Sequence, residues 1–457
     1  MAVDGALCCG VMRAPPRHAL VSAVTAAVVA AVVTAGASSA VARKPPPATG
    51  SKAPPTALLA AADDITRQVA ALRGLQPKAA LQRGVLTRAE IGAKLKERLD
   101  KEYTPEEVKS EARVLKRLGL LPADADYGKM LLDLLMEQVA GFYDPFAGRL
   151  YIADWLPLEM QRPAMAHEIE HALQDQWFDL KRFAQPIKED GDRQLARSAL
   201  VEGDGTMVML EFQVQAMGGM VTSEQLGDVI AAMGKQLLSS SALNDTPLFK
   251  SAPRFLKETL MFPYLAGLNF IAQLKRSQPW TRIDEVWRAP PSTTEQVLHP
   301  EKYLAKEPAV AIAAAPLSSL GARKELRRDV LGELEMRVLF AEAVPEAEAE
   351  KAAAGWGGDR LVAFADPAVA TAPPTVISLS AWDSETDARE AEAAARKVVE
   401  KLVGRPLPAA TGRVADPNGD EWSVERRGDK LLVVFGAPAG SGAAVAGEVW
   451  KSWKIGG

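Results

Sequence analysis

His167-Glu168-Ile169-Glu170-His171 sets two of the chain's four histidines four positions apart, with a glutamate directly after the first. Residues at that spacing share one face of a helix, so both imidazoles can reach a single zinc ion at about 2.0–2.1 Å. A carboxylate next to the first histidine can approach a water on that ion without taking a coordination position itself. Zinc brings the pKa of such a water from about 16 toward about 7, within the range of a carboxylate base. The chemistry in view is hydrolysis, with Glu168 as the general base. In a chain with so few histidines, chance gives this pattern in roughly one sequence of several hundred. Ala164, Met165, Ile169, Ala172 and Leu173 add apolar packing around the polar face.

A catalytic zinc site takes three protein ligands and keeps a fourth position open. A ligand six residues beyond His171, the metzincin arrangement, is excluded: Trp177 stands there, and Gln174 occupies the place of the turn glycine. The other common solution is a glutamate from a later helix, and "LVEGDGT" offers Glu202. Gly203 and Gly205 beside it each cost about 1 kcal/mol against alanine in a helix interior. Close approach to the motif helix would offset that cost. Asp204 and Glu170 stand as alternative ligands, and a loop at "EGDG" with Glu202 in solvent is the competing reading.

Taken in order, "EQVAGFYDP", "RLYIAD", "AHEIEHALQDQ", "LVEGDGT" and "STTEQVLHPEKY" resemble an uncharacterised bacterial family of exported zinc metallopeptidases of the gluzincin type. The resemblance spans roughly Leu72 to Leu304, and "AAAGWGGDR" and "WDSETDA" go with the family's C-terminal part. It implies a zincin-like domain, Zn2+ on His167, His171 and Glu202, Glu168 as base, and a protein or peptide substrate. Gly205 departs from the pattern, which expects alanine there; a looser ligand helix would follow. Zincins with a glutamate ligand commonly use a downstream histidine or tyrosine to hydrogen-bond the oxyanion. The Pro-bounded stretch "TEQVLHPEKY" offers His299 as that catalytic candidate and Tyr303 as its alternative.

These residues need a helix with Pro163 near its first turn and a second helix from about Asp192 to Met217 to carry Glu202. Ahead of them, Tyr143-Asp144-Pro145 signals a turn and Arg149 to Ile152 a short strand. Residues 57–121 read as a helical region, with capping boxes at Thr87-x-x-Glu90 and Thr104-Pro105-Glu106-Glu107. A zincin-like domain is assigned to 122–316 and a C-terminal α+β domain to 317–457, so the fold class expected is α+β, mostly helical around the motif. In the C-terminal part, "RLVAFA" and "TVISLSAW" read as strands, Ser384 starts a helix, and "EWSVERRGDKLLVVFG" reads as a hairpin turning at Gly428-Asp429. "GWGGDR" lacks the lysine and hydroxyl of a phosphate loop and reads as a tight turn with Trp356 packed on the sheet.

Arg13, Arg17 and His18 precede the uncharged run Ala19 to Thr34, and small-residue cleavage sites follow at Ala35-Gly36-Ala37 and Ala40-Val41-Ala42. Residues 1–42 therefore read as a signal peptide, with an uncleaved N-terminal anchor as the alternative, and 43–56 as a Pro-rich linker. Cys8 and Cys9 both lie before the apolar run, so the processed chain would hold no disulfide. A net charge of -4 offers no basis for nucleic-acid binding, and no second stretch is apolar enough to span a membrane. The reading is a secreted or periplasmic zinc-dependent peptidase. A catalytically inactive, zinc-stabilised binding or scaffold protein of the cell envelope is the alternative.

Overall fold

The computed structural model describes residues 53–216, 218, 225–226, 228, 230, 246–276, 278–369 and 371–456. The signal peptide read at 1–42, linker residues 43–52 and Met217 lie outside the described residues. Helix α1 (Pro55–Arg73) begins within the stretch read as linker, buries Leu58, Ala62, Ile65 and Val69, and ends at Gly74 with a left-handed φ of 81°. Strand β1 (Gln82–Leu86) then interrupts a region that reads as helical throughout. It pairs in parallel with β3 (Arg149–Ala153), Gln82 opposite Arg149, a partner too distant in the chain for a local pattern to announce. Helices α2 (Arg88–Glu102) and α3 (Pro105–Arg117) start at Thr87 and Thr104, and both capping boxes form. Helix α4 (Tyr127–Gln138) leads into β2 (Gly141–Asp144), antiparallel to β3; the order β1-β3-β2 leaves β2 at an edge.

Helix α5 (Leu158–Phe178) carries the two histidines, and Pro163 lies inside it rather than in its first turn. After α6 (Leu180–Ala184), α7 (Gly191–Ala216) runs unbroken through "EGDG", so that stretch is not a loop. Then come α8 (Pro247–Ser251), α9 (Arg254–Lys275), α10 (Thr281–Arg288), α11 (Thr294–Leu298) and α12 (Pro300–Ala305). Helices α7 and α9 meet backbone to backbone. A Cβ at Gly203 would lie 2.3 Å from the carbonyl carbon of Gly267, and one at Gly267 would lie 2.2 Å from the carbonyl oxygen of Ala199. The close approach expected of Gly203 is therefore made to α9, not to the motif helix.

The C-terminal part contains β4 (Ile312–Ala313), β5 (Lys324–Asp329), α13 (Gly332–Ala341), α14 (Glu346–Ala353), β6 (Trp356–Ala365), β7 (Thr375–Trp382) and α15 (Glu385–Val403). It closes with β8 (Arg413–Ala415), β9 (Glu421–Arg427), β10 (Lys430–Ala437), α16 (Gly442–Ser452) and β11 (Lys454–Ile455). Six strands form an antiparallel sheet in the order β5-β6-β7-β10-β9-β8, and the chain as a whole is an α+β fold. Ser384 caps α15, and the β9–β10 hairpin turns at Gly428-Asp429. "GWGGDR" turns only at Gly355, between α14 and β6, and then continues as strand, with Trp356 buried and a Cβ on Gly358 meeting the Val310 carbonyl oxygen at 2.2 Å. Strand β5, "KELRRD", hides its inward face as ion pairs, since buried Arg327 bridges Glu111 and Asp329.

Alternation along the strands splits the sheet into two apolar faces. Val362, Phe364, Leu432 and Val434 pack with Val445 and Val449 of α16, while Leu361, Ala363, Leu431 and Val433 belong to the cluster that runs on into α1, α5, α7 and α9. The C-terminal sheet thus shares a core with the helices that carry the motif. Among the described residues no helix is long and apolar enough to cross a membrane. We predict that Gly267→Ala, by forcing α9 away from Ala199, lowers the free energy of urea unfolding by about 2–3 kcal/mol. Unchanged stability would mean the α7–α9 contact is not tight.

Candidate metal centre

On α5, His167, His171 and Gln174 lie on one face, and α7 crosses it with Glu202. The two Nε2 atoms are 2.9 Å apart, and Glu202 Oε2 lies 3.1 Å from that of His167 and 3.3 Å from that of His171. Four ligands in a tetrahedron around zinc would be separated by about 3.3–3.4 Å, given bonds of about 2.0–2.1 Å. The three atoms already sit near that spacing. Two imidazole nitrogens so close repel unless a proton or a cation lies between them. Glu202 Oε1 and His167 Nδ1 are buried without a hydrogen-bond partner among the described residues. A buried His2Glu donor set with these features fits zinc.

The next layer sets the orientation of the second imidazole. Gln174 Nε2 donates to the Val201 carbonyl at 3.3 Å, which turns its Oε1 toward His171 Nδ1 at 2.8 Å. Nδ1 therefore carries a proton, and Nε2 faces the triad, the arrangement a metal-binding histidine needs. Gly205 lies against the other imidazole: a Cβ there would be 3.0 Å from His167 Cε1 and Nε2. Gly205 therefore leaves room for the His167 ring on α5. Glu168 Oε2 accepts the Tyr143 backbone N–H at 2.7 Å, so the edge strand β2 anchors the carboxylate proposed as base. The Tyr143 hydroxyl donates to Asp175 Oδ2 at 2.8 Å and ties the same strand to α5.

Burial holds the His167 imidazole down at about 4, and neighbouring His171 pushes the same way. Burial would also lower His171, but the charge and hydrogen bond of Glu202 outweigh it and raise His171 to about 9. For Glu202, burial is overcome by His171 and by hydrogen bonds from both imidazoles, and its carboxyl sits at about 2. Without a metal, the triad thus holds one proton on His171 beside an ionised Glu202.

The alternative ligands are engaged elsewhere. Asp204 accepts Arg73 Nε at 3.0 Å, Arg73 Nη2 at 3.1 Å and Trp287 Nε1 at 2.8 Å, and Glu170 lies 3.5 Å from Arg73 Nε. His299 is not brought to the triad; its Nε2 meets Glu333 Oε1 at 2.9 Å, a hydrogen bond that raises its pKa. Tyr303 donates its hydroxyl to the Ala289 carbonyl at 2.8 Å. Glu295, Glu307 and Asp383 also cluster, but the Lys302 ammonium stands among them at 2.6, 2.9 and 2.6 Å, where a cation would sit. Gly205 makes the close approach to the motif helix that its sequence position suggested, whereas sequence reasoning missed Gln174, Tyr143 and Tyr264 on α9, whose ring centroid is 6.2 Å from that of His167. Of these, Gln174 alone had a local signal, its place three residues after His171 on the same helix face.

The wild-type chain is expected to hold about one zinc, and Glu202→Ala to lose it on dialysis against a weak chelator. Zinc must displace the His171 proton, so from about pH 8 down to about pH 5 each unit of acidification should weaken apparent affinity about tenfold in a chelator competition. A flat profile there would show that no such proton is held. Gly205→Ala should leave the protein folded but reduce zinc affinity roughly tenfold by shifting the His167 ring; wild-type affinity in that variant would refute the tight fit.

Residues 319–446 match a family described as a domain of unknown function (DUF8575). The matched stretch contains all six strands of the large sheet and leaves out α5 and α7. No curated protein and no solved structure matches the chain.

Proposed function

We propose that the chain is an exported zinc-dependent peptidase that hydrolyses peptide bonds, with His167, His171 and Glu202 as ligands and Glu168 as general base. The observation that carries this reading is the convergence of the HExxH imidazoles with a carboxylate from a second helix. Bound zinc would supply Lewis acidity, polarising the carbonyl and making the attacking water acidic. Glu168 takes the proton of that water and returns it to the leaving amine. The Tyr143 N–H on Oε2 holds the carboxylate in place. Gln174 keeps His171 in the tautomer that presents Nε2. His299 and Tyr303, engaged with Glu333 and Ala289, are left out of the proposed chemistry.

One observation favours the second reading, a zinc-stabilised scaffold without turnover. His167 and Glu202 are 0% exposed and Glu168 and His171 only 1%, so a substrate reaches them only if the surrounding structure opens. The two readings differ in what one variant does. With zinc bound, Glu168→Gln should keep the metal and lose hydrolysis of an unfolded protein or a peptide library by about a thousandfold. Cleavage at wild-type rate by that variant refutes Glu168 as base. A zinc-loaded wild type that cleaves nothing, while zinc at a hundredfold excess over its Kd stabilises the fold by about 2.7 kcal/mol, would establish the scaffold instead.

A further inference from the structure

We propose that Arg73, the last residue of α1, is a positioning residue for the metal centre: its guanidinium holds α5 and α7 at the rotation and separation that bring the three ligand atoms together. This inference rests on the metal-centre reading above. The Arg73 side chain is fully buried, and it touches a carboxylate from each ligand helix. From α7 it takes both oxygens of Asp204, through Nε at 3.0 Å and Nη2 at 3.1 Å. From α5 it approaches Glu170, the residue before ligand His171, at 3.5 Å. Its remaining side meets Asp284 of α10 at 2.9 Å, and its plane lies 4.4 Å from the Trp280 ring centroid.

Helix geometry gives this contact its leverage. Two residues correspond to about 200° around a helix, so Asp204 leaves α7 on nearly the opposite side from Glu202. Arg73 therefore grips α7 from behind its ligand, and a turn of α7 about its axis swings Glu202 as it pulls on Asp204. Trp287 Nε1 on Asp204 Oδ2 at 2.8 Å removes the carboxylate's remaining freedom. On α5, Glu170 and the two histidines lie within two turns of one another, so a shift along that axis moves all three. A planar fork with fixed donor directions can impose such geometry, and an ammonium of the same charge cannot. Burial opposes the charge on Arg73, but Asp204, Glu170 and Asp284 overcome it and raise the guanidinium pKa, so the clamp stays cationic.

The experiment measures zinc affinity by chelator competition, the absorption spectrum of the cobalt-substituted protein, and melting of the metal-free protein, for wild type, Arg73→Lys and Asp284→Asn. Arg73→Lys should melt cooperatively yet bind zinc at least tenfold more weakly and show an altered cobalt spectrum. Asp284→Asn, which touches the guanidinium away from both ligand helices, should lower the melting temperature and leave affinity and spectrum unchanged. Wild-type affinity and spectrum in folded Arg73→Lys would overturn the proposal. Equal loss of zinc in both variants would do the same, because it would reflect general destabilisation. If Arg73→Lys does not fold, Asp204→Asn replaces it, with the same expected loss and the same overturning result. A wild type that binds no zinc overturns the metal-centre reading itself, before any variant is considered.

Discussion

The contact on which the rest depends is the absence of side chains where α7 passes between α5 and α9. Gly203 lets the α9 backbone press against α7, and Gly205 lets the His167 ring pack against it. Any larger residue at 203 would meet Gly267 main-chain atoms, which cannot rotate away. With both neighbours this close, Glu202 is fully buried, and its Oε2 lies 3.1 and 3.3 Å from the two imidazoles. An ionised carboxylate in such a place is costly unless paired. The same closeness that creates the cost also supplies the partners.

Four further buried or half-buried cations are paired in the same way, each with a carboxylate from a stretch far away in sequence. Arg73 reaches Asp204, Arg327 bridges Glu111 and Asp329, Lys275 meets Glu211 at 3.6 Å, and Arg117 binds Asp420 at 2.6 Å. Replacing such pairs with apolar residues is often neutral or better for stability, whereas removing one member is costly. Their contribution here is to specify which segments meet. Arg117 illustrates it: a Cβ on Gly436 would fall on its guanidinium, so the strand that receives α3 is shaped for that one side chain.

Much of the site was legible because its signals are local. The HExxH spacing, the capping threonines, the Ser384 cap and the alternating C-terminal strands each need only a few neighbouring residues to be read. What escaped depends on partners elsewhere in the chain. Strand β1 has its parallel partner in β3, and β5 hides its inward charges in pairs that sequence cannot match, so neither shows the apolar alternation that marks a strand. The glycines at 203 and 205 were read as a sign of close approach, but the two face different helices, a distinction invisible without the fold. Arg73 carried no signal at all, since an arginine closing a helix beside a glycine ordinarily reads as a solvent-facing C-terminus.

The distances spanned along the chain have a kinetic consequence. Strand β1 must wait for β3, the imidazoles for Glu202, and Arg73 for Asp204 and Asp284, so the central contacts close long loops. Loop closure costs entropy before the contacts return anything, and chains rich in such contacts fold slowly. A nascent chain would display the histidine pair on α5 well before α7 exists to complete it. On the proposed zinc reading, capture of an ion and consolidation of the interior would then be one late, cooperative event, and metal supply during biogenesis would govern how much of the chain reaches its native state.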